Sequence, residues 1–212
     1  IGSCTKAMTA TLLGRFVDAG SMSFDDTLGE IFADLEIHEG FRQVTLGQLI
    51  RHLGGTPGAL IGDYPELWRF MRANEAGDQR PVRLELTRTL LREGPTQPVG
   101  NYTYSNSGYI IVGAAIERVI GRPWEDLMVQ ELFQPLGMDD CGFGGAASAG
   151  AVDHPWAHRR GRQNENVPVD PAGIDDNPRS LGPAGTVHCS MDSWKSFLDV
   201  HVGSGPVGYL SA

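Results

Sequence analysis

Along most of this chain apolar residues recur every three to four positions, the period of one face of an α-helix. Met8, Leu12 and Phe16, flanked by Leu13 and Val17, predict a helix over Ser3 to Val17, with Gly20 as its stop. Leu28, Ile31 and Phe32 mark a short second helix over Asp25 to Phe32. Thr45 to Leu53 opens with a capping box, Thr45 as N-cap and Gln48 three residues on, and Gly54-Gly55 closes it. Leu67 to Met71 and Leu84 to Leu91 are further helical patterns on either side of the polar stretch Asn74 to Arg80. Gly108 to Ile120 is strongly apolar and runs up to Gly121. Pro123 suits the first turn of a helix in which Trp124, Leu127, Met128 and Leu132 share a face, until Pro135 ends it.

Beyond Gly137 the periodicity dissolves. Gly142 to Pro183 is rich in Gly, Pro, Asp and Asn and reads as long ordered loops. Thr186 to Cys189 is the best short strand, and Ser190 caps a last helix through Trp194, Phe197, Leu198 and Val202. The pattern therefore predicts one partial domain over residues 1–212. A helical lobe spans about residues 20–140, a loop-rich section 141–189, and a last helix 190–203.

Composition narrows the function classes. The 212 residues are 41% hydrophobic and 20% charged, a balance that can bury a core. A net charge of −9 argues against nucleic acid as a partner, since phosphate binding calls for a basic face. The longest apolar stretch, Tyr109 to Ile116, is broken by Glu117 and Arg118, short of the roughly 18 residues of a membrane helix. Cys4, Cys141 and Cys189 are odd in number and widely spaced, so neither a zinc site nor a disulfide framework is expected. His154 and His158 have Pro155 between them, which spoils a helical metal face. No metal and no cofactor is expected. The chain opens on Ile1-Gly2-Ser3 without Met, so the expectation is that its natural start is missing. Compartment and oligomeric state are not legible.

Two short motifs carry chemistry. In Ser3-Cys4-Thr5-Lys6 the serine heads a helix, beside unpaired N–H groups and the positive dipole end. Residue i+3 shares its face, so the Lys6 amine can reach the Ser3 hydroxyl. A neutral lysine can take that proton, whereas arginine effectively cannot lose its own. Lys6 and Lys195 are the only lysines in a sequence whose other cationic residues are arginines. The bland alternative is an exposed capping serine. The second motif, Tyr104-Ser105-Asn106, leads into the apolar helix and can present a phenol and an amide to one cleft. A phenol shuttles a proton when a nearby lysine lowers its pKa. Its bland alternative is a turn that caps the helix.

Tyr104-Ser105-Asn106-Ser107-Gly108-Tyr109, with Pro135-Leu136-Gly137-Met138 further on, resembles the family of class C β-lactamases, serine D-Ala-D-Ala peptidases and β-lactamase-like esterases. Ser3 to Lys6, Leu49 to Gly58 and Gly182 to Thr186 fit in the same order, so the resemblance spans essentially the whole chain. It implies an α+β fold, β-lactamase/transpeptidase-like, of which this segment is mostly the helical lobe with much of the sheet missing. It also implies Ser3 as acylated nucleophile, Lys6 and Tyr104 as the proton-transfer pair, and Asn106 as the substrate-orienting residue. The third motif of such proteins, Lys-[Ser/Thr]-Gly or His-x-Gly on a strand, is not visible. His52-Leu53-Gly54 falls in the loop after the capped helix, and His201-Val202-Gly203 ends the last helix. Together with the scarcity of strands this leads to the expectation of a fragment, lacking part of its oxyanion hole. The function expected is a serine hydrolase that cleaves a small ester, peptide or β-lactam amide through an acyl-enzyme. The alternative is a non-catalytic binding or scaffold member. The four site residues are expected to converge, with Ser3 turned towards the helical lobe.

Overall fold

The computed structural model describes residues 1–58, 60–151, 153–171 and 176–211. Part of the stretch expected as loop, residues 152 and 172–175, lies outside the described residues, as does residue 212. A 3-10 turn, Gly2–Cys4, leads into α1 (Thr5–Asp18). The short helices α2 (Leu28–Ile31), α3 (Glu39–Arg42), α4 (Leu46–Ile50) and α5 (Leu60–Asp63) follow. Then come α6 (Pro65–Ala73), α7 (Arg80–Glu93), α8 (Asn106–Ile120) and α9 (Trp124–Met128), the last continuing as a π-helical turn, Val129–Phe133. The final section holds β1 (Gly142–Phe143), β2 (His158–Arg160), β3 (Asn166–Pro168), a 3-10 turn at Arg179–Leu181, α10 (Gly182–Gly185), β4 (Val187–His188) and α11 (Met191–His201).

Helix α8 is the hub, because its stretch 108–116 is apolar on all sides and is buried throughout. Ile110, Ile111, Val112, Ala115 and Ile116 have no solvent exposure, and α1, α4, α7 and α10 pack around them. The Ser105 hydroxyl caps its start by accepting the Gly108 N–H, and Gly121, left-handed at φ +79°, closes its end. At Gly113 a β-carbon would stand 2.3 Å from Pro183 Cγ, so the absent side chain is what lets α10 lie against α8. A buried ion network clamps the far end of the helix. Arg83 of α7, with no exposure, pairs with Glu117 of α8 and Glu125 of α9 at 2.5 and 2.7 Å. Glu117 also accepts the Trp124 N–H at 2.8 Å, which ties the start of α9 to the same carboxylate.

Several boundaries differ from the expectation. Helix α1 begins at Thr5, so Ser3 belongs to the 3-10 turn before it. The second helix shrinks to Leu28–Ile31 because Thr27 and Glu30 form a capping box that starts it late. Pro123 is the N-cap of α9, not a residue of its first turn. The capping box at Thr45 and the Ser190 cap are both present. The expected strand is β4, which pairs antiparallel with β1, and β2 and β3 form a separate hairpin inside the section read as loop. These strands have two or three residues each, too few for a period-2 pattern to register.

The cysteine expectation is corrected outright. Cys141 and Cys189 form a disulfide across 48 residues. Gly142 pairs with His188, so the β1–β4 register sets the two cysteines opposite each other. Parity misled the reading because Cys4, exposed and free, is the odd one. Among the described residues no helix is long and apolar enough to cross a membrane.

Candidate active site

Lys6 is the buried centre of the site, 5% exposed in the first turn of α1. Its ammonium lies 3.1 Å from the Ser3 hydroxyl and donates to the Ala184 carbonyl at 2.7 Å. It stands 4.8 Å from the centre of the Tyr104 ring and 5.6 Å from that of Tyr109. The carbonyl of Ala184 is in place because α10 is bolted to α1 on both sides of it. Thr9 donates its hydroxyl proton to the Pro183 carbonyl at 2.8 Å, and the Val187 N–H donates to the Thr5 hydroxyl at 3.1 Å.

The Tyr104 loop is held from the other side. Thr103 N–H donates to the His52 carbonyl, Gly100 N–H to that of Leu53, and Asn106 N–H to that of Gly58. The Ser105 and Ser107 hydroxyls both donate to the Pro57 carbonyl, at 2.6 and 2.8 Å. Loop 52–58 thus serves as a cradle for residues 100–107, and Tyr109 anchors it further by donating to the Ile50 carbonyl at 2.8 Å. Tyr104 itself is 43% exposed, with its ring at the rim.

The structure brings three of the four sequence-predicted residues together. Ser3, Lys6 and Tyr104 meet although about a hundred residues separate the motifs, while Asn106 is the first residue of α8. Among the described residues no hydrogen bond joins the Asn106 carboxamide to Ser3 or Lys6. Ser3 is exposed, not turned into the lobe as expected, because it precedes the α-helix and lies on the rim. Two contributors escaped the sequence reading. Gly182 to Thr186 stood there as a matching segment without a role, and nothing in a carbonyl's residue type reveals that it accepts from a lysine. His52 was set aside as part of a chance tripeptide.

Lys6 and Tyr104 shift each other's titration. Burial lowers the Lys6 pKa, opposed by the hydrogen bond and charge of Tyr104. Burial would raise the Tyr104 phenol, but hydrogen bonding with Lys6 and Ser3 and the charge of Lys6 outweigh it, so its pKa is lowered. The site thus sets a lysine made less basic beside a phenol made more acidic, next to a hydroxyl.

The family model described as Beta-lactamase matches residues 1–208. The chain belongs to the β-lactamase family. Penicillin-binding protein 4 of Amycolatopsis lactamdurans is 29% identical over 211 residues, covering 96% of this chain and 50% of that protein. Esterase EstB of Burkholderia gladioli is 26% identical over 148 residues, 68% of this chain and 38% of that one. A D-stereospecific amidohydrolase from Streptomyces superposes with a TM-score of 0.75 at 21% identity, over 99% of this chain and 62% of its own. The likeness in structure establishes the β-lactamase-like fold, of which the described residues are mainly the helical part. The matching part of this chain spans half or less of the length of the curated relatives.

Proposed function

We propose that this β-lactamase-family chain carries the acylation site of a serine hydrolase, with Ser3 as nucleophile and Lys6 with Tyr104 as the proton-transfer pair. The observation that supports it most is the Lys6 ammonium 3.1 Å from the Ser3 hydroxyl, its pKa lowered by burial against the opposing effect of the adjoining Tyr104 phenol. In this reading the pair takes the hydroxyl proton as Ser3 Oγ attacks a carbonyl carbon. The tetrahedral adduct collapses by expelling an alcohol or amine, to which the pair returns the proton. Water then attacks the Ser3 ester, activated by the same pair, and the acid leaves with Ser3 restored. Ala184, through its carbonyl, fixes the lysine against α10 so that the amine stays aimed at Ser3. Asn106, two residues after Tyr104 at the start of α8, orients the carbonyl of the acyl donor. The donor class is a small ester, amide or peptide, as the names of the relatives (a penicillin-binding protein, an esterase, an amidohydrolase) suggest.

Covalent labelling tests this. The protein is treated with a fluorophosphonate and, separately, with a penicillin, then digested and read by mass spectrometry. The adduct is expected on the peptide containing Ser3 and is expected to vanish in Ser3→Ala. Equal labelling of Ser3→Ala, or a folded protein that takes neither reagent, contradicts the assignment.

A further inference from the structure

His52 follows the short helix α4 at the position where a left-handed residue, usually glycine, closes the helix. Its φ is +61°, and its N–H and that of Leu53 donate back to the Leu49 and Gln48 carbonyls in the closing pattern. Among the described residues the other non-glycine at positive φ is Asn164, in the turn between β2 and β3, where asparagine is at home. Histidine enters this region more readily than most side chains but less readily than glycine. Such a backbone costs on the order of 1–3 kcal/mol and persists where the surroundings demand it. Glycine would cap α4 without that cost, so the reason for histidine lies in its side chain.

That side chain reaches straight to the Tyr104 loop. His52 Nδ1 accepts the Ser105 N–H at 3.1 Å. The imidazole lies 4.6 Å, centre to centre, from the Tyr104 ring, 5.4 Å from Tyr109 and 5.8 Å from Tyr102. The His52 carbonyl accepts the Thr103 N–H, so one residue grips the backbone on both sides of Tyr104. We propose that His52 is a positioning residue, a neutral imidazole that holds the Tyr104 phenol against Lys6 and Ser3. This rests on the acylation reading above.

Accepting at Nδ1 requires the ring proton on Nε2. A second proton would turn Nδ1 into a donor facing the Ser105 N–H and break the grip. The titratable groups around the ring are Lys6, Tyr102, Tyr104 and Tyr109. Burial and then the Lys6 charge keep the imidazole pKa below its usual value, which preserves the neutral form.

Two variants separate positioning from folding. His52→Gly removes the side chain and relieves the left-handed backbone, so it folds. His52→Asn tolerates that backbone and puts Oδ1 near the place of Nδ1. Acylation of Ser3 by an activated ester is expected to fall about ten- to a hundredfold in His52→Gly, the effect of a displaced catalytic group. The Tyr104 phenol, followed by NMR with labelled tyrosine, is expected to titrate higher in that variant. His52→Asn is expected to recover most of both. Wild-type acylation together with an unmoved Tyr104 titration in folded His52→Gly overturns the proposal, as does loss of both with no recovery in His52→Asn. If the unaltered protein takes no acyl group, the hydrolase reading falls. The Tyr104 titration in wild type against His52→Gly still decides whether His52 holds the loop.

Discussion

Lys6 is the residue on which the proposed chemistry turns. Its amine is buried, with a hydroxyl, a carbonyl and two aromatic rings as neighbours, and among the described residues no carboxylate pairs with it. A carboxylate would fix the positive charge, whereas a carbonyl and a phenol allow the neutral amine to form. The sign of the resulting pH dependence can be worked out. Both Lys6 and Tyr104 have folded-state pKa values below their ordinary ones, so between the folded and unfolded values the unfolded chain binds more protons. Stability attributable to the pair therefore rises with pH across that window, which ends near the ordinary lysine and tyrosine values. Denaturant unfolding of wild type and Lys6→Met at several alkaline pH values checks this. The difference is expected to move in favour of wild type as pH rises, and a constant difference would mean that the shifts are not there. Acylation is expected to rise over the same window, inflecting below the ordinary lysine value.

At the scale of elements, the site is a junction of α1, α10 and the loop ahead of α8, and α8 holds them in register. Gly113 lets Pro183 approach, and Pro183 in turn sets the Ala184 carbonyl beside Lys6. The other end of α8 is pinned by Arg83, whose guanidinium is wholly enclosed and meets two carboxylates. Removing one partner of such a buried pair leaves a charge without compensation, which costs about 3–5 kcal/mol. Arg83→Met is accordingly expected to destabilise the fold by that amount, measured by urea unfolding. Arg80, paired with Asp78 at the surface, provides the contrast, and Arg80→Ala is expected to cost less than about 1 kcal/mol. Equal effects of the two substitutions would refute the network's role. The sequence disclosed most of this level. Helix α8, the Thr45 box and the Ser190 cap follow from periodicity and capping chemistry, which are local. Arg83 did not stand out, and Pro183 stood in a matching segment without a role, because their partners are remote in sequence and a buried arginine looks like any other on paper.

For the whole molecule, Ser-x-x-Lys and Tyr-x-Asn were legible as residue types, but the distances between them were not. The cradle of residues 52–58 that sets Tyr104 in place joins backbone hydrogen bonds to side-chain bonds of His52, Ser105 and Ser107 whose partners are remote in sequence, so no local pattern encodes it. The disulfide was missed for a related reason, since pairing depends on the β1–β4 register and not on spacing. It closes the loop-rich section that lies between the end of the helical lobe and α11. Replacing Cys141 and Cys189 by Ser is expected to lower stability by roughly 2–4 kcal/mol. Non-reducing and reducing thermal scans of wild type are expected to differ in the same direction, and identical scans would exclude the bond. The central claim is tested most directly by the rate at which an activated ester acylates Ser3 in wild type, Lys6→Arg and Lys195→Arg, with folding checked by circular dichroism. Lys195 is 71% exposed and pairs with Asp199 on α11, so its replacement is expected to change nothing. Lys6→Arg keeps the charge but cannot release the proton, and acylation is expected to drop by about two orders of magnitude or more. Near-normal acylation in a folded Lys6→Arg protein would show that Lys6 is not the base.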